Sequence, residues 1–108
     1  MDKSEITLVS PTTKIVGNFE VRNELHFYGQ LLGELRGEKG SVIHLKEGSL
    51  VEGKIIADTL VIEGFVKGDV QAQLKVWITG RGKLVGALHT PNLQIDPGAI
   101  FEAKVGMT

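Results

Sequence analysis

The chain has 108 residues, is 42% hydrophobic and 23% charged, and carries a net charge of −1 with a pI near 6.3. The length suits one domain with a modest core, and the charge excludes a general attraction to nucleic acid. The absence of cysteine excludes disulfides and thiolate metal sites, and no apolar run approaches the roughly 20 residues of a membrane-spanning helix.

Residues 1–14 stand apart from the rest of the chain. Their apolar cluster is Ile6, Leu8 and Val9, with neither the basic start nor the apolar region of a secretory signal. They read as an amino-terminal tail, partly ordered at best, with a strand or cap over the first coil as the alternative. A cytoplasmic location is the expectation.

From Ile15 onward the chain repeats a phrase, apolar-x-small-x-apolar. It occurs as Ile15-Gly17-Phe19, Leu31-Gly33-Leu35, Val51-Gly53-Ile55, Val66-Gly68-Val70, Leu84-Gly86-Leu88 and Phe101-Ala103-Val105. The small residue advances by 16, 20, 15, 18 and 17 positions. Between these phrases lies a second alternating pair: Leu25-Phe27, Ile43-Leu45, Leu60-Ile62, Val76-Ile78 and Leu93-Ile95. Its steps are 18, 17, 16 and 17, so two independent series agree on one repeat. A third, mostly small position follows each phrase, at Val21, Gly37, Ala57, Ala72 and Thr90.

In extended backbone, alternate residues point to one face, and glycine within such a pattern marks a bend or a close backbone approach. Each repeat therefore reads as three short extended arms separated by small residues, which is one turn of a parallel β-helix. Stacked turns bury a continuous apolar face that a single turn cannot. No segment holds a 3.6-residue period for three turns, so helices are not expected. Six coils at about 4.8 Å each predict a rod about 29 Å long. Residues 15–106 form this core, 107–108 close the chain, and the segment R-G-E-K-G-S at 36–41 lengthens one coil as a corner loop.

The outward positions add register information. Glu52 falls beside Lys67, and Lys54 beside Asp69, each pair contributing roughly 0.2–1 kcal/mol and disfavouring a slipped register. His26 and His44 are outward neighbours on successive coils, and their column continues with Val61, Trp77 and Gln94, none of them a metal ligand. Val61 and Trp77 are adjacent outward apolar residues and a candidate lateral contact. His89 has no evident acid partner. Arg81-Gly82-Lys83 reads as a solvated basic turn, with an anionic partner as the alternative.

The segments G-F-V-K-G-D-V-Q-A, G-S-L-V-E-G-K-I-I-A and G-K-L-V-G-A-L-H-T resemble the repeats of bactofilins, over residues 15–106. The resemblance implies a right-handed β-helix and a bacterial cytoskeletal protein that self-assembles, without nucleotide, into non-polar filaments through its terminal coils. It implies placement of cell-envelope or peptidoglycan-related machinery. It also implies frequent association with the inner face of the cytoplasmic membrane through an amino-terminal segment.

The terminal coils are then the residues of interest: Ile15 and Phe19 at one end, Ile100, Phe101 and Val105 at the other. No catalytic residue, cofactor or metal set is expected. Hexapeptide-repeat acyltransferases need a steady period of six that the steps of 15–20 lack. The alternative is a small β-helical metal-binding or enzymatic module using the His26/His44 face.

Overall fold

A computed structural model describes residues 6–106, and the expectations for residues 1–5 and 107–108 lie outside them. Ten strands occur and, among the described residues, no helix: β1 (Ile6–Val9), β2 (Lys14–Val21), β3 (Glu24–Phe27), β4 (Gln30–Gly37), β5 (Val42–Leu45), β6 (Leu50–Ile62), β7 (Phe65–Ile78), β8 (Lys83–His89), β9 (Leu93–Ile95) and β10 (Ile100–Gly106). Every pairing is parallel, and each strand pairs with the one a full turn away. The fold is a parallel β-solenoid.

The register follows the repeated phrases residue for residue. Ile15, Leu31, Val51, Val66, Leu84 and Phe101 stack in one column, and Phe19, Leu35, Ile55, Val70, Leu88 and Val105 in another. Leu25, Ile43, Leu60, Val76 and Leu93 form a third, beside Phe27, Leu45, Ile62, Ile78 and Ile95. Their interior members have essentially no exposed surface and make up the core. Fully burying each such side chain is worth about 1.5–3 kcal/mol.

Glycine makes one corner of every turn but the last, where Ala103 takes that place. Gly33, Gly53, Gly68 and Gly86 stack on one another with φ between 134° and 141°, a backbone region that side chains rarely adopt. A Cβ at any of them would strike the carbonyl oxygen of the glycine one turn earlier. These four positions therefore need glycine twice over, for backbone angle and for space.

The structure departs from the sequence expectations in three places. Residues 6–9 form a strand that pairs with β3, Ile6 opposite Glu24 and Val9 opposite Phe27, and Val9 joins the core. This is the strand alternative for that segment, so the solenoid begins before Ile15. The corner loop is shorter than 36–41, because Arg36 and Gly37 still belong to β4 and the turn closes between Glu38 and Ser41. One extra residue sits in β7 between Ala72 and Lys75, where β6 has only Asp58 between Ala57 and Thr59; Leu74 bulges outward there and is exposed. The molecule measures 37 × 30 × 24 Å.

Candidate self-assembly surfaces and a histidine pair

Among the described residues, the inward columns lose cover in the carboxyl-terminal layer and, at the other end, over β2, while β1 still covers β3. At the carboxyl-terminal layer, Leu88 is fully buried but Val105, above it, is 42% exposed; Ile78 is fully buried but Ile95 is 42% exposed. Phe101, Ala103, Leu93 and Ala99 are only partly covered. At the other end Ile15 and Phe19 are half-buried, whereas Leu31 and Leu35 beside them are fully buried. Gly17 repeats the asymmetry: its φ is 120°, yet a Cβ there would meet nothing within 4 Å. The terminal layers are thus apolar surfaces built like the core.

Ile100 is placed differently from the other predicted end residues. It is the register partner of Lys83, in the outward column of Lys14, Gln30, Leu50, Phe65 and Lys83, and it flanks the bare layer from the side. The alternation read around Phe101 requires this, since neighbours in a strand face opposite ways.

Glu52 is the register partner of Lys67, and Lys54 of Asp69. Neither pair closes to an ion pair within 4.0 Å; the pairs that do, among the described residues, include Arg36–Glu34 at 2.6 Å, Lys46–Glu63 at 3.6 Å and Arg81–Glu47 at 2.7 Å. The basic turn is likewise engaged within the chain, because Lys83 Nζ also lies 5.0 Å from the Phe65 ring centre. Val61 and Trp77 are register partners on the outer face, both half-buried. Trp77 donates from Nε1 to Asp96 Oδ2 at 2.9 Å, and Lys75 Nζ lies 5.6 Å from its ring centre, so its own neighbours hold it in place.

The histidines are stacked as the repeat predicts, His26 opposite His44 with ring centres 4.6 Å apart. The column read along the stack missed their third partner. Glu24, two residues before His26 on β3 and on the same outer face, accepts a hydrogen bond from His26 Nε2 at 2.8 Å and lies 3.3 Å from His44 Nε2. Period-2 alternation was the available signal, read sideways along the strand. The His26 hydrogen bond is the main reason the Glu24 carboxyl titrates below its ordinary value. Burial is the main reason His44 titrates below its own, with the adjacent His26 adding to the effect.

The sequence profile of one family, bactofilin, described as polymer-forming cytoskeletal, matches residues 7–106. The chain belongs to the bactofilin family. This bactofilin is 27% identical over 101 residues to Bactofilin BacP of Myxococcus xanthus, covering 94% of the chain and 41% of that relative. It therefore spans less than half the length of that curated relative. Its fold is similar to that of a bactofilin from Thermus thermophilus reconstructed as double helical filaments, with a TM-score of 0.83 and 21% identity over 94% of this chain and 99% of that one. Among the described residues of this bactofilin, no helix is long and apolar enough to cross a membrane.

Proposed function

We propose that this chain is a cytoskeletal scaffold that polymerises end to end through its terminal layers, without nucleotide, into non-polar filaments. The supporting observation is the loss of cover from Leu88 to Val105 and from Ile78 to Ile95, where a column buried in the interior becomes exposed in the last layer. Exposed apolar layers are stabilised by meeting another apolar layer. Two like ends meeting about a two-fold axis bury the same patch on both partners, and alternating contacts of this kind give a filament without polarity. Lys104 and Glu102 alternate with the inward residues of β10 and remain exposed at its rim, where they fix orientation rather than affinity.

The filament then serves as a platform that positions cell-envelope or peptidoglycan-related machinery at the inner face of the cytoplasmic membrane. Ile6 and Leu8, exposed on the outer side of β1, are the apolar residues available to an amino-terminal membrane contact. Assembly is tested by Phe101→Arg, which buries an unpaired guanidinium in the contact. Negative-stain microscopy and sedimentation of the nucleotide-free protein should show long filaments for the natural chain and folded short species for the variant. Filaments of unchanged length in the variant remove Phe101 from the contact.

A further inference from the structure

We propose that Glu24, His26 and His44 form a binding site for one divalent transition-metal ion, Zn²⁺ by chemical preference, that staples two successive layers of the solenoid. The three side chains each offer a ligand atom, and these atoms all lie within 4.8 Å of one another. The topology fixes their convergence. Glu24 and His26 are two apart on β3 and share a face, while His44 on β5 is the direct register partner of His26. Parallel pairing through the core columns on the opposite face of both strands holds that register, so the donors are brought together by the fold itself.

Two of the three donor spacings suit a small tetrahedral ion, and the third, between the imidazoles, lies within 4.8 Å. Ligands about 2.0–2.1 Å from Zn²⁺ stand about 3.3 Å apart from one another. His44 Nε2 and Glu24 Oε2 are already 3.3 Å apart, and the 2.8 Å between His26 Nε2 and Glu24 Oε2 needs only a small opening. Two imidazoles and one carboxylate make the donor set of a borderline transition metal, whereas Ca²⁺ and Mg²⁺ require oxygen ligands throughout. The side chains are only 25–37% exposed, which leaves room for one solvent ligand while limiting competition from water. The nearby Lys46 is paired with Glu63 at 3.6 Å. The ion would join β3 to β5 outside the core, one layer in from the amino-terminal strand β1.

The test uses the untagged full chain, stripped with a chelator, and Zn²⁺ as the probe. Calorimetric titration should give one Zn²⁺ per chain, with a rise in the thermal midpoint that the chelator reverses. His44→Gln and Glu24→Gln should each weaken binding by at least about tenfold, while His89→Gln leaves it unchanged. X-ray absorption at the zinc edge of the natural protein needs no variant and should show two imidazoles and an oxygen donor. Absence of saturable binding at millimolar Zn²⁺ overturns the site. So does affinity unaltered by both ligand substitutions, or an absorption spectrum with no paired imidazoles. In those cases the three side chains are a hydrogen-bonded trio only.

Discussion

The middle layers and the end layers of this solenoid are made from the same columns of residues, yet they differ in what covers them. Gly53 and Gly17 occupy one corner column; a Cβ on Gly53 would strike the carbonyl of Gly33, while a Cβ on Gly17 would meet nothing within 4 Å. Leu88 and Val105 share a column in the same way, one buried and one exposed. A parallel solenoid completes each layer with the next, so among the described residues the last layer is a core surface without a core above it. The end-to-end contact proposed above rests on this difference.

The largest effect expected is at the corner glycines. Gly53→Ala imposes a strained φ and a clash with backbone that cannot yield, and should cost more than about 3 kcal/mol in urea unfolding. Gly17→Ala carries the strain without the clash and should cost about 1–3 kcal/mol. Equal losses at the two sites would mean that Gly17 is as enclosed as Gly53. Next comes the apolar column. Leu88→Ala should cost about 2–5 kcal/mol, because the cavity has no way to fill. Val105→Ala should cost less than about 1 kcal/mol in the stability of the single molecule, and its main effect should be on assembly. A comparably small effect is expected on the outer face, where Trp77→Phe removes the hydrogen bond to Asp96 and should cost about 0.5–1.5 kcal/mol. Filaments of normal width and bundling in that variant would limit Trp77 to this internal role, while loss of lateral association would make Val61 and Trp77 a contact surface.

Much of the fold was legible in the residues. Period-2 alternation and a repeat of about 17 residues place every core column from Ile15 to Val105 in its observed register, because inward apolar residues tolerate no slip. The amino-terminal strand was harder to read. Its apolar alternation, Ile6 and Leu8, marks the face that points outward, while Thr7 takes the inward place held elsewhere by Leu25 and Ile43. Pairing with β3 overrides the local pattern, and Val9 entering the core beneath Phe27 anchors that choice. Leu74 was illegible for a related reason, since an inserted residue leaves the register and has no partner to define its side. The histidine pair followed from the repeat. Glu24 did not, because it belongs to the next outward column and joins the pair only through side-chain length.

Thiol cross-linking gives the plainest test of stacking through bare layers, since the chain has no cysteine of its own. Val105→Cys, treated with a short bis-maleimide under assembling conditions, should yield covalent dimers joined carboxyl end to carboxyl end, in proportion to filament mass. A Val105→Cys thiol that reacts singly and freely, in particles that sediment as isolated chains at every concentration, would contradict it.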